Sequence, residues 1–127
     1  MGDATTEEGH MSLYLLLICW DADRMDGQDE PASGTGEEPE SFPWLDDLRA
    51  RGRWVTGDQV APPRRARSVR VRGGKTVVTD GPFAETKEAV GGFDVIEADT
   101  LEEAVAIAAG HPVAASGTIE VRPFWGQ

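Results

Sequence analysis

The chain has 127 residues, 39% of them hydrophobic and 28% charged, a globular composition long enough to bury roughly two thirds of its unfolded surface without a disulfide or metal staple. Its longest apolar run, Leu13 to Trp20, is eight residues, far short of the ~20 of a spanning helix, so no membrane role is expected. The lone cysteine, Cys19, excludes an internal bridge and no Cys/His cluster has zinc spacing. With no signal-peptide core in the acidic first ten residues, a reducing cytoplasm is the expected setting.

The net charge of −11 is unevenly spread: residues 1–48 carry −12, residues 49–78 carry +8 and residues 79–127 carry −7. A strongly acidic chain repels phosphate backbones unless it gathers its cations. The basic block, from Arg49 through Arg64, Arg65, Arg67, Arg70 and Arg72 to Lys75, is either an anion-binding surface or a solvated face balancing acidic flanks. With Trp54 its only aromatic and no recognised motif, direct nucleic-acid binding is not expected.

In chain order, residues 1–11 read as a flexible tail and 12–127 as one domain, with an acidic surface loop over 21–40. Leu13 to Trp20 is apolar at nearly every position and short, which predicts a central strand covered on both faces. Ser41 to Arg51 predicts a short helix: Ser41 or Phe42 caps it, Pro43 lies in the first turn, Gly52 stops it, and Phe42, Trp44, Leu45 and Leu48 form its apolar stripe. Arg53 to Val60 predicts a second strand, ended by Pro62-Pro63.

Two alternating runs, Ser68–Arg72 and Lys75–Thr79, flank Gly73-Gly74, the pattern of a two-residue hairpin turn. That register puts Val69, Val71, Thr76 and Val78 on one face and opposes Arg72 to Lys75. Gly91-Gly92 leads into a strand over Phe93–Ala98. Thr100 and Glu103 have capping-box spacing and open a helix with Leu101, Ala104, Val105 and Ala108 on one face, ending at Gly110. Thr118–Phe124 is the last strand, and Pro123 marks it as a sheet edge.

This order, β-α-β, hairpin, β-α-β, predicts an α+β fold, a ferredoxin-like split βαβ unit with an inserted β-hairpin and helices on one face of an antiparallel sheet. The other face then needs a cover, because Trp20, Trp54 and the valines cannot all stand in water, and a second subunit is the economical one.

At Asp80-Gly81-Pro82-Phe83-Ala84-Glu85-Thr86-Lys87-Glu88 the chain resembles the YCII-related family, in its DGPF-domain branch. Leu15-Leu16-Leu17, Val69-Arg70-Val71-Arg72, Gly91-Gly92-Phe93 and Val121-Arg122-Pro123 extend the resemblance over roughly residues 12–125. It implies a dimeric α+β barrel with a cavity near the interface. Related YCII proteins include a dehydrochlorinase of aromatic degradation, with a His/Asp pair proposed as active centre, and DGPF members are often encoded beside extracytoplasmic-function sigma factors. The chain departs from the pattern in its short first helix, which carries no His, and in His111-Pro112, which stands where the family often has Asp-Pro. A reversed pair, Asp46 or Asp47 facing His111, is the corresponding arrangement to look for.

The motif loop offers Asp80, Glu85 and Lys87 as catalytic candidates, joined by His111, which follows a helix C-terminus whose dipole favours the imidazolium. The structural alternative makes Asp80 and Gly81-Pro82 a turn, Phe83 an anchor and the charges local ion pairs. Trp20, Trp54 and Phe83 are the ligand-binding candidates, with Trp125 as a further aromatic; core or dimer packing is their alternative. Cys19, without a cationic neighbour, reads as inert core. No phosphate loop, zinc site or nucleotide fingerprint occurs, so no cofactor is expected. Two functions remain open: a cofactor-independent enzyme, lyase or dehalogenase-like, on a small cyclic or aromatic molecule; or a non-catalytic ligand-binding or accessory homodimer with a regulatory partner such as a sigma factor.

Overall fold

The computed structural model describes residues 11–23, 42–82 and 87–126. All but the last residue of the expected tail, residues 24–40 of the expected acidic loop, and residues 83–86, with Phe83 and Glu85, lie outside them. The described chain runs β1 (Ser12–Asp21), α1 (Pro43–Ala50), β2 (Trp54–Gln59), β3 (Arg67–Arg72), β4 (Lys75–Asp80), β5 (Glu88–Ala98), α2 (Leu101–Ala109) and β6 (Thr118–Pro123). Four strands form one antiparallel sheet in the order β2-β5-β1-β6, and β3 and β4 pair separately.

The α+β class, the ferredoxin-like strand order and the separate hairpin follow the sequence pattern. The barrel does not. Closure requires the two edge strands to pair, but β2 and β6 lie at opposite edges of an open sheet. After Gln59 the chain leaves the β2 edge to build its own hairpin, and β6 ends in Pro123, which has no amide hydrogen to extend a ladder. The expected α+β barrel is therefore corrected to a single open four-stranded sheet.

Period two along β1 divides its apolar run. Tyr14, Leu16 and Ile18 are buried, whereas Leu13, Leu15, Leu17 and Cys19, on the opposite face, are only half-buried. The buried set packs with Ile96 and Ala98 of β5, Leu48 of α1 and Ala104, Ile107 and Ala108 of α2, so both helices cover the same face. The central position of β1 is as expected; its cover on both faces is not found among the described residues. Trp54 lies with the covered face, packed against this core, rather than on the open one.

α1 begins on Phe42 with Pro43 in its first turn, where a missing amide hydrogen costs nothing. α2 begins on Thr100, whose hydroxyl accepts from the Glu103 amide at 3.0 Å, while the Glu103 carboxylate reaches back to the Asp99 amide at 2.7 Å. The core face of α2 is Ala104, Ile107 and Ala108. Leu101 and Val105, expected on it, are exposed, because two alanines let the helix backbone approach the sheet along their own line.

Gly73 and Gly74 both have positive φ, 57° and 79°, as a two-residue hairpin turn demands. Gly91-Gly92, in contrast, does not interrupt β5, which starts at Glu88. A Cβ on Gly92 would stand 3.0 Å from the Asp58 carbonyl oxygen, so here the missing side chain admits the neighbouring strand. Leu16 is fully buried at the centre of this arrangement, and Leu16→Ala is expected to lower stability by about 2–5 kcal/mol in denaturant titration; a loss under about 1 kcal/mol would place the core elsewhere.

Candidate functional site

A carboxyl group lies on the covered face of the sheet. Asp94 of β5 is in register with Leu16 of β1 on one side and Gly57 of β2 on the other, two residues from the buried Ile96. A register shift between Trp54 and Thr56 makes this geometry possible. In a regular strand positions 54 and 57 point to opposite faces; the bulge at Val55 puts both on the covered face, opposite Ile96 and Asp94 respectively. The Trp54 indole then donates from Nε1 to Asp94 Oδ1 at 2.9 Å.

Gly57 makes room for the carboxyl. A Cβ there would collide with Asp94 Oδ1 and stand 2.6 Å from the Phe93 carbonyl oxygen. Burial disfavours the charged form and pushes the Asp94 carboxyl up to about 6, against which the single Trp54 hydrogen bond works only in part. Above the indole lies the Arg49 guanidinium, 4.8 Å from the ring centroid, a cation over a π face. Beside it Arg53 joins β2 to α2 through Glu103, which holds the Glu103 carboxyl below the usual range.

The first turn of α1 makes a second cluster. Phe42 and Trp44 are stacked at 6.1 Å between centroids, and His111 meets both edge-on, at 5.8 and 4.7 Å. The Trp44 indole donates to the Ile107 carbonyl at 2.7 Å, which ties α1 to the end of α2. His111 Nδ1 accepts the Val113 amide hydrogen at 3.0 Å, capping the 3-10 turn Pro112–Ala115. That bond leaves the proton of the neutral ring on Nε2. Burial lowers the His111 pKa, so the neutral imidazole wins over the dipole effect expected from sequence. Of the two carboxylates expected to face His111, Asp47 is bound to Arg51 instead, and burial is what shifts the imidazole. Trp44 and Arg49 are five residues apart on α1, roughly 8 Å of helix axis, so the two clusters are neighbours at opposite ends of one short helix.

Two of the other candidates, Trp20 and Lys87, lie where β1 ends. Trp20 is paired with Ala89, and its buried Nε1 has no partner among the described residues. Lys87 is exposed, and its carbonyl oxygen accepts from the Ala22 amide at 2.9 Å. The turn that carries His111 comes to the same end, since a Cβ on Gly117 would meet both Val113 and Trp20. Asp80 is at the base of the hairpin, exposed and paired with Arg67 at 3.1 Å. Glu85 and Phe83 fall outside the described residues, and Trp125 is fully exposed. Burial pushes the Cys19 thiol up, as suits an unreactive cysteine. Among the described residues no group of three or more His, Cys, Asp or Glu side chains is placed to hold a metal, and no helix is long and apolar enough to cross a membrane.

Asp94 and Gly57 are the residues that the sequence reading missed, and Arg49, read there as the start of the basic block, lies over the Trp54 ring. The signal for Asp94 was present: with Ile96 and Ala98 inward, period two turns position 94 inward as well.

The sequence pattern of the YCII-related domain matches residues 15–126. An uncharacterized protein of Rhizobium meliloti (strain 1021) is 41% identical over 68 residues, which cover 52% of this chain and 55% of that protein. The chain thus matches little more than half the length of this relative.

The raised Asp94 pKa has a stability consequence. A folded-state value near 6 against an ordinary 3.8 stabilises the fold fully below about pH 4, and that contribution is lost as pH rises through 6. Asp94→Asn, which cannot ionise, is therefore expected to gain about 2–3 kcal/mol relative to the wild type between pH 4 and pH 7.5 in denaturant titrations. Parallel pH profiles would show that Asp94 is solvated. Gly57→Ala is expected to cost about 2–4 kcal/mol at pH 5 through the collision with the Asp94 carboxyl and the Phe93 carbonyl; a neutral effect in the same titration would remove the cradle.

Proposed function

The chain belongs to the YCII-related family, and from that premise we propose that it is a cofactor-independent proton-transfer enzyme acting on a small cyclic or aromatic molecule. The observation that carries this reading is Asp94, a half-buried carboxyl with a pKa near 6, held on one oxygen by Trp54 and set over a glycine. At neutral pH such a group is mostly ionised yet more basic than a solvated carboxylate, the compromise a general base needs. In a lyase or dehalogenase-like step Asp94 takes the proton from a C–H bond, and that bond's electrons form the new double bond. The leaving group departs from the adjacent carbon with its own electron pair. Trp54 fixes the carboxyl and presents an apolar wall to a ring-shaped substrate.

The Asp80-Gly81-Pro82-Phe83 motif supports a place in the DGPF branch. Asp80, Lys87 and His111, with Trp20, remain a second proposed set, to which the motif adds Glu85 and Phe83, outside the described residues. A homodimer in the cytoplasm belongs to the same proposal: Leu15, Leu17, Phe93 and Val95 share the face of the sheet that neither helix covers, and a second copy is an economical cover.

The test follows proton transfer directly. A panel of small cyclic carbon acids, including lactones and halogenated cyclohexadienes, is incubated with the protein in D2O, and C–H exchange is read by NMR. The wild type is expected to exchange at least one member, and Asp94→Asn to slow it by about a hundredfold or more with its fold intact. Loss in Lys87→Ala and Glu85→Ala but not in Asp94→Asn moves the chemistry to the motif loop. Binding of panel members without exchange in any form overturns the enzymatic reading in favour of ligand binding.

A further inference from the structure

Arg49, the first cation of the basic block, has no acid of its own. From the last turn of α1 to the start of β2, Arg51 is bound to Asp47 and Arg53 to Glu103 with Asp99 beside it, whereas Arg49 is bound to no carboxylate among the described residues. Helical spacing offers it Asp46, three residues back. Its guanidinium lies instead over the Trp54 indole, 4.8 Å from the ring centroid, and the residue is exposed. That contact answers the charge in part and supplies no acceptor oxygen to the five N–H donors of the fork. In a chain of 23 acids and 12 bases, Arg49 is thus open to an anion from outside.

The same indole holds Asp94. Its Nε1 donates to Asp94 Oδ1 at 2.9 Å, the one side-chain hydrogen bond of that carboxyl among the described residues. The tryptophan therefore carries the proposed base at its edge and the open cation over its face. With 4.8 Å from guanidinium to ring and 2.9 Å from ring nitrogen to carboxyl, the two groups stand within roughly 10 Å of each other. Neither is spent on the other: burial and the Trp54 bond, not the cation, are what shift Asp94. We infer that Arg49 anchors a carboxylate on the molecule that Asp94 acts on, which makes the substrate a small cyclic or aromatic carboxylic acid. The inference rests on the reading of Asp94 as a base, and it narrows the substrate class of that site. A guanidinium fork pairs a carboxylate through two parallel N–H···O bonds, and one small ring is long enough to place its C–H at Asp94 from there. Arg49 makes and breaks no bond. It fixes where the ring lies and offsets the negative charge that gathers as the proton leaves for Asp94. A local cation is also what admits such a ligand, because a chain at −11 otherwise repels a free acid.

Benzoate and benzamide, alike in shape and unlike in charge, supply the test at pH 7 and low salt. Binding is read from the Trp54 indole N–H resonance in nitrogen-15 NMR, and the other indole resonances check that each variant is folded. Benzoate is expected to move the Trp54 resonance and to bind at least about tenfold more tightly than benzamide. Arg49→Gln is expected to abolish that preference and to leave benzamide unchanged, and Arg49→Lys, which keeps the charge without the fork, to retain part of it. Asp94→Asn is expected to keep the preference, since the base is not the anchor. Equal binding of the two probes overturns the inference, as does a resonance that neither probe moves or a benzoate preference that survives Arg49→Gln; proton exchange in the neutral members of the D2O panel then still reports on Asp94. Benzoate held through Arg49, with no exchange in any panel member, keeps the carboxylate anchor and overturns the base.

Discussion

A carboxyl group set between Leu16 and Gly57, on the face of the sheet that both helices cover, has to be neutral or held by a donor, and the strands around Asp94 provide for both. Burial favours the protonated acid, and the Trp54 indole steadies the charged one. The arrangement depends on one irregularity: without the register shift at Val55, Trp54 and Gly57 fall on opposite faces, and the indole cannot reach the carboxyl. Bulge, tryptophan, glycine and aspartate are one device distributed over two strands. Arg49 above the ring and the α1 turn that supplies it fix the indole from the other side.

The rest of the molecule holds that device in place by ordinary means. Among the described residues Leu16, Leu48 and Ile96 are the largest fully buried side chains, one each from β1, α1 and β5, and they pack into the one core on the face of the sheet that carries Asp94. Arg53, adjacent to Trp54, is bonded through its side chain to Glu103 of α2 and through its backbone to Leu48 and Glu97. The strand that presents Trp54 is thereby locked to both helices before the bulge begins. At the far end of α1 the Phe42, Trp44 and His111 rings close the core with a neutral imidazole, whose Nδ1 is spent on capping its own turn.

What the sequence made legible divides along physical lines. Local rules worked where one interaction decides the conformation: two glycines between alternating runs gave the hairpin, and Thr100 with Glu103 gave the start of α2. They failed where a neighbour in space decides. Gly91-Gly92 reads as a break, but Gly92 serves the close approach of β2. His111 reads as a charged cap, but aromatic rings contributed from α1 keep it neutral. Alternation with Ile96 and Ala98 turns Asp94 inward, whereas a carboxylate between Phe93 and Val95 reads by polarity alone as a solvent-facing position. Only the strand register shows that it faces the helices, and only the bulge, invisible in the sequence, explains its tryptophan partner.

The surfaces left over are as informative as the core. The chain separates acidic flanks from a basic middle block, and it splits β1 into a buried row and an open row. Family membership is shown by the match over residues 15–126, and the sheet carries the candidate chemistry on its helix side and an apolar row that neither helix covers on the other. The most direct measurement of the central claim is a carbon-13 NMR titration of the Asp94 side-chain carboxyl. A midpoint near pH 6 that moves when Trp54 is replaced by Phe is the predicted result, and a midpoint near pH 4 in both forms would contradict the account.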